Sequence, residues 1–364
     1  MSQASAVLDE ALEQGHLPSC SYIVARSGSV IEERARGHAC VEPELVEADA
    51  ATIYDLASLT KPLSSSILAL LLHRNRHINV NDPVRRYLPA YEWEGRRDIT
   101  ILQLLTHTSG LPDWEPLYLF GEERKEMFRG LDRIGLRYRP GTDTVYSCLG
   151  YIQLSRIIEH ATSSTVQTLF RDLVATPLGL TTCMFNPPVE FLPRIAATER
   201  GNVFERNKCG VRAANYPGFR QAIIRGQVHD HNAFTLGGAS GNAGLFGAAR
   251  DVHAIATELL KPERLLRGDE AALFIRNLGG EHEDHRTIGF QLQTARNSVA
   301  GPALSPRAVA MWGTTGTSVA IDPDRELIAV LLTNRVHPVY RDFNMNELRR
   351  RFHTAASADC VTQG

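Results

Sequence analysis

Ile53-Tyr-Asp-Leu-Ala-Ser-Leu-Thr-Lys61 runs through Pro62 into the apolar stretch Ile67 to Leu72. Within it, Ser58-Leu-Thr-Lys61 is an S-x-x-K element. Pro62 has no backbone N–H and is tolerated only in the first turn of a helix, so Ser58 is expected near the N-terminus of one that continues through Ser64 to His73. Three residues apart, Ser58 and Lys61 share a helix face, which lets the ammonium lie beside the hydroxyl. The orphan N–H groups and positive dipole end of that terminus favour an oxyanion on a carbonyl attacked by Ser58. The chain has only four lysines, Lys61, Lys125, Lys208 and Lys261, among 39 basic residues. Chance placement gives roughly 0.2 S-x-x-K matches, so the element is mildly informative alone and its context decides. Arginine, with its high pKa, could not exchange a proton in the role of Lys61.

Around this element lies the composition of a soluble globular enzyme. The 364 residues are 43% hydrophobic and 22% charged, which excludes a disordered or collagenous chain and allows about two domains, or one with an insertion. Net charge is -2 with no basic block, so nucleic acid is not expected as a partner. The longest apolar run, Ile67 to Leu72, is far short of a membrane span. Asp9 and Glu10 interrupt what would be the apolar core of a signal peptide, so a cytoplasmic protein is expected. The six cysteines, Cys20, Cys40, Cys148, Cys183, Cys209 and Cys360, form no Cys-x-x-Cys pair and read as reduced thiols, structural except Cys148.

The periodicity is that of an α+β fold. A helix over Ser2 to Gln14 precedes a hairpin of Ser21–Ala25 and Val30–Arg36 turned at Ser27-Gly-Ser29. Near the other end, Ser318–Asp322 and Leu327–Thr333 flank Asp322-Pro-Asp324 as a second hairpin, and a helix over about Asn344 to Ala355 closes the chain. The termini therefore predict one antiparallel sheet flanked by helices, with an inserted, mostly helical domain. The expected division is 1–75 with 235–364 for the sheet and 76–234 for the insertion. Helices are expected at Leu102–Leu105, Leu149–Ala161 and Thr165–Leu173, while 185–233 and 281–306 read as long loops and weakly patterned strands.

A second chemical signal is Tyr146-Ser-Cys148-Leu-Gly150, which follows the turn Arg139-Pro-Gly-Thr142 and opens a helix. Alone, such a tyrosine is usually a packing residue. In order along the chain, however, stand Ile53 to Lys61, Leu104-Leu-Thr-His-Thr-Ser-Gly-Leu111, Pro140-Gly-Thr142, Tyr146-Ser147 and Leu236-Gly-Gly-Ala-Ser-Gly-Asn-Ala-Gly-Leu-Phe246. Together, over about Leu8 to Leu332, they resemble the serine β-lactamase-like superfamily: class C β-lactamases, D-alanyl-D-alanine carboxypeptidases and family VIII esterases. The stretch Gln227 to Ala233 also resembles a subgroup of carboxypeptidase-type penicillin-binding proteins.

The resemblance implies the same two-part fold, with Ser58 as nucleophile, Lys61 as its partner and Tyr146 as the general base that later reprotonates the leaving group. A phenol serves as a base near neutrality only if cations lower its pKa, and Lys61 is the cation at hand. The family's third box, Lys-Thr-Gly or His-Thr-Gly, meets Met311-Trp-Gly-Thr-Thr-Gly316 here. In the ungapped match Met311 replaces the basic residue and Trp312 the threonine; a shifted register makes Thr314-Thr315-Gly316 the box, still without a cation. The backbone N–H groups of Ser58 and Thr314 would complete the oxyanion hole, and Cys148, Met311, Trp312, Gly313 and Thr315 are expected against substrate. Cys148 stands where the second box usually has asparagine and lacks its amide donor and acceptor. As a nucleophile Cys148 has no histidine near it in sequence.

Both departures point away from amides bearing a carboxylate and toward small esters. A serine hydrolase acting through an acyl-enzyme, with acyl transfer to other acceptors as an extension, is the leading reading. The alternatives are a β-lactamase or D-Ala-D-Ala carboxypeptidase, and a catalytically impaired binding protein of the same fold. A small-molecule substrate is expected, and the oligomeric state is left open. No cofactor motif is present, and neither His229-x-His231 nor Glu281 to His285 has the third ligand that a metal site requires.

Overall fold

The computed structural model describes residues 2–93 and 95–362. Strands β1 (Ser19–Arg26) and β2 (Ser29–Cys40) form the first hairpin, followed by the short β3 (Val46–Glu47) and β4 (Tyr54–Asp55). After the helical middle come β5 (Met184–Phe185), β6 (Leu245–Gly247), β7 (Gln291–Leu292), β8 (Val309–Trp312), β9 (Ser318–Asp322) and β10 (Leu327–Thr333). Among the described residues the main sheet has seven strands in the order β3-β2-β1-β10-β9-β8-β7, every pair antiparallel. The two terminal hairpins thus meet at its centre, where Ile23 faces Val330. A second sheet, β4-β6-β5, stands beside it.

Alternation along the central strands divides the interior. Ile328, Val330 and Leu332 point to one face, with Val309 and Met311 of β8, and join the large core beneath the helices Ile67–Arg74, Cys148–Thr162 and Ala249–Leu260. Leu327, Ala329 and Leu331 point to the other, covered by the first helix, Gln3–Glu13, and the last, Met345–Thr362. Those two helices are tied end to end: the Asp359 carboxylate accepts from the backbone N–H groups of Gln3 and Ala4, both at 2.9 Å, where a helix N-terminus favours negative charge. Among the described residues, no helix is long and apolar enough to cross a membrane.

Two segments differ from expectation. The closing helix extends beyond Ala355 because Ala356 and Cys360, too small to give a periodic signal, are buried against the first helix. The stretch expected as loops and strands at 185–233 contains the helix Val203–Cys209, whose polar sequence conceals that Glu205 and Cys209 face inward.

Candidate active site

Strand β4 leads into the turn that carries Ser58. Asp55 is buried, and burial raises its pKa, while hydrogen bonds from Ala57 N (2.8 Å, to Oδ1) and His229 N (2.6 Å, to Oδ2) act against that. Ala57 follows with a φ of 47°, a left-handed conformation unusual for a residue with a Cβ. Thr60 Oγ1 donates to Ala57 O at 2.6 Å and accepts from Leu245 N at 3.1 Å, while Thr315 Oγ1 and Thr317 Oγ1 donate to the carbonyls of Asp55 (2.8 Å) and Leu56 (3.1 Å). The turn is therefore held between β6 and the β8–β9 connection. Asp55→Ala would leave two buried N–H groups unpaired; a stability loss of about 2 to 4 kcal/mol is expected, read from urea denaturation, and a loss under 1 kcal/mol would contradict this role.

Ser58 is half-buried, and the chain then winds in one turn of 3₁₀ (Ala57–Leu59), a wider π-type turn (Lys61–Ser66) and the α-helix Ile67–Arg74. Pro62, lacking an N–H, sits where the usual ladder is interrupted. Lys61 is fully buried, with Nζ 3.0 Å from Ser58 Oγ, 3.0 Å from Asn242 O and 3.5 Å from Cys148 Sγ. Burial lowers its pKa toward the neutral amine; the Cys148 thiol and Asp230 pull the other way.

Tyr146 reaches the same point from the start of the helix Cys148–Thr162. Lys61 Nζ lies 4.9 Å from the centre of its ring, and Cys148 Sγ donates to its hydroxyl at 3.9 Å. Burial raises the phenol pKa well above its usual range and Cys148 adds to this, whereas Ser58 and the Arg286 guanidinium favour the phenolate. The sequence named Lys61 as the cation beside this phenol, and it lies 4.9 Å from the ring centre; the Arg286 guanidinium, 5.4 Å from the same ring, is a second cation that the sequence did not single out. His107 fixes the segment that carries the tyrosine: its Nδ1 accepts from Ser147 N at 3.0 Å, and burial keeps the imidazole neutral. Ser147 Oγ in turn accepts from Gly150 N at 3.2 Å and caps the helix.

The third wall is the end of β8. Trp312 stacks on Tyr146, ring centres 6.3 Å apart at 19°. A Cβ at Gly313 would stand 2.7 Å from Leu56 O and 2.4 Å from Thr317 Oγ1, so only glycine lets the strand approach the Ser58 turn. The Gly313 carbonyl accepts from Arg349 Nη2 (2.7 Å) and Gly316 N (3.0 Å), which turns the Thr314 N–H of that planar trans peptide to the opposite side.

Ser58, Tyr146, Cys148, Trp312 and Thr314 line a common cavity of ≈ 190 Å³. Met311 and Thr315, expected against substrate, are not there. Met311 is fully buried because strand alternation points it into the large core, and Thr315 faces Asp55. Gly313 lines a neighbouring cavity of ≈ 280 Å³, which shares Phe204, Trp312 and Thr314 with the first and adds Arg335, Asn346 and Arg349. Sequence reasoning missed those arginines, and also the far wall of the first cavity, Asp113, Glu205, Lys208, His229 and Asp230. The only signal for any of these was the Gln227 to Ala233 stretch. Burial pushes the Glu205 carboxyl up to about 7. His229 Nε2 lies 3.0 Å from Glu199, and His231 packs edge-on to Tyr118; among the described residues neither belongs to a cluster that could hold a metal.

Comparison with known proteins gives a consistent picture. A family model described as Beta-lactamase matches residues 4–353. A putative D-alanyl-D-alanine carboxypeptidase of Escherichia coli K12 is 27% identical over 379 residues, covering 95% of this chain and 85% of that protein. EstCE1, described as a hydrolase with promiscuous acyltransferase activity, superimposes with a TM-score of 0.74 at 21% identity, covering 97% of each chain. A class C beta-lactamase from Rhodobacter sphaeroides gives a TM-score of 0.73 at 17% identity over 99% of each chain.

Proposed function

The chain belongs to the Beta-lactamase family, a family of serine hydrolases, and from that premise we propose that it hydrolyses small carboxylic esters through an acyl-enzyme on Ser58. The observation that carries this reading is the 3.0 Å approach of a fully buried lysine to the serine hydroxyl. In the free enzyme burial favours the uncharged partners, an amine at Lys61 and a phenol at Tyr146. Lys61 Nζ takes the Ser58 proton as Oγ attacks the ester carbonyl, and the N–H groups of Ser58 and Thr314 hold the oxyanion. Collapse of this intermediate breaks the bond to the alkoxide, which leaves with the Tyr146 proton, replenished from Lys61. Water then repeats the sequence on the acyl-enzyme and regenerates Ser58. An alcohol in place of water would make the product a new ester, the acyl-transfer extension of the same site.

The preference for esters rests on two positions. Cys148 offers no carboxamide to a substrate amide, and Met311 puts no cation at the third box. One observation favours a second reading: the arginines of the adjacent cavity, Arg335 and Arg349, would suit a carboxylate such as that of a β-lactam or a D-alanine terminus. The impaired-binding reading has least support, since Ser58, Lys61 and Tyr146 are in reach of one another.

Parallel turnover of p-nitrophenyl butyrate, benzylpenicillin and a D-Ala-D-Ala peptide separates the readings. We expect kcat/KM for the ester to exceed the other two by about 10²-fold or more. Penicillin or peptide turnover at or above the ester rate would transfer the assignment to the second reading.

A further inference from the structure

Arg286, just before β7, is only 2% exposed. Asp284 holds it from one side, with Oδ2 2.8 Å from both Nε and Nη2, and Gln291 Nε2 fixes that carboxylate by donating to its Oδ1 at 2.7 Å. The other side of the guanidinium faces aromatic rings: Cζ lies 5.4 Å from the centre of Tyr146 and 5.7 Å from that of Trp312. Nη1 is buried and has no hydrogen-bond partner among the described residues. A buried cation with one carboxylate and an unpaired N–H is costly to keep, which asks for a purpose beyond packing.

We propose that Arg286 is a positioning residue for the reaction, supplying to Tyr146 and Lys61 the positive charge that the third box lacks and so favouring the amine of Lys61, which takes the Ser58 proton, and the release of the Tyr146 proton to the leaving group. The inference rests on the Ser58–Lys61–Tyr146 reading above. The groups facing Tyr146 are Ser58, Lys61, Cys148, His107 and Arg286; Asp230 acts on Lys61, and Asp284 on Arg286. His107 is held neutral by burial, and burial pushes Lys61 toward its amine. A guanidinium keeps its charge throughout the working range, so among these groups Arg286 is the steady cation. It acts on Lys61 in the same direction as on Tyr146, and because Lys61 is the group that must be free of its proton for attack, the acidic limb is the one that reports the loss of this charge.

The test is the pH profile of kcat/KM for p-nitrophenyl butyrate in wild type, Arg286→Gln, Arg286→Lys and Asp284→Asn. Loss of the charge in Arg286→Gln is expected to move the acidic limb up by about one pH unit, cutting activity on that limb roughly tenfold while the alkaline plateau persists. Arg286→Lys should restore most of the shift. Asp284→Asn, which removes the counter-charge and leaves the arginine in place, should move the limb down, and it carries the test alone if Arg286→Gln fails to fold. A uniform loss in Arg286→Gln with the limb unmoved, or an unmoved limb in Asp284→Asn, overturns the proposal. A wild type that turns over no ester and takes no adduct on Ser58 overturns the underlying reading, and this inference with it.

Discussion

Ser58→Ala is expected to lower kcat for p-nitrophenyl butyrate by about 10⁴-fold or more, leaving only what the cavity and its oxyanion donors achieve with water. The size of the effect follows from the site's construction. In the proposed reaction Oγ is the atom that becomes covalently attached to the acyl group, and among the described residues Lys61 Nζ has no other hydroxyl at its 3.0 Å distance to activate. The variant should fold normally, since Ser58 is half-buried and the turn is held by Asp55, Thr60, Thr315 and Thr317 rather than by its side chain. Unchanged far-ultraviolet circular dichroism and thermal midpoint would confirm this. A residual rate within tenfold of wild type would mean that the chemistry is elsewhere, with Cys148 the first suspect.

Lys61→Arg is the second large effect, and the more discriminating. The substitution puts a permanent positive charge beside Ser58 and removes the ability to take a proton, because a guanidinium stays charged even where burial pushes a lysine toward its amine. If Lys61 were only an electrostatic anchor, arginine would retain much of the activity. As the group that takes the Ser58 proton, its replacement should cost about 10³-fold in kcat, with little change in KM for a neutral ester. The larger side chain also has to fit where Nζ meets Asn242 O and Cys148 Sγ, so Lys61→Met serves as a control of similar bulk without the charge. Both variants falling together would assign the loss to proton transfer; recovery in the arginine variant alone would assign it to charge.

What the sequence disclosed follows from which interactions are local. Ser58 and Lys61 lie three residues apart on one helical stretch, so their meeting is dictated by spacing, and Pro62 marks the entry to that stretch. The terminal hairpins were legible for the same reason: the turns at Ser27-Gly-Ser29 and Asp322-Pro-Asp324 join runs of strand-forming residues that pair with each other. That both hairpins share one sheet follows from the matching helix and hairpin elements at the two termini, but their joining through β1 and β10 is not written locally. Met311 lies away from the cavity because matching a motif fixes position along the strand but not which face a side chain takes; alternation sends it into the core while Trp312 turns to the cavity.

The charged wall of the site was hidden more thoroughly. Glu205 lies on a helix whose sequence reads as solvent-exposed, and its carboxylate accepts from Tyr118 Oη and His231 N far away in sequence. Arg286 and Arg349 are two of many arginines in the chain, and nothing near either marks it as buried. Arg349 meets the Gly313 carbonyl and Arg286 two aromatic faces, contacts that exist only once β8 has been laid beside the Ser58 turn.

The central claim is that Ser58 is the activated nucleophile, and intact-protein mass with peptide mapping tests it most directly. Wild type, Ser58→Ala and Cys148→Ala would each be exposed to a fluorophosphonate and to a short activated ester. The account predicts a single stoichiometric adduct on the peptide carrying Ser58, present in wild type and Cys148→Ala and absent from Ser58→Ala. An adduct mapping to Cys148, or none on folded wild-type protein with either reagent, would contradict it.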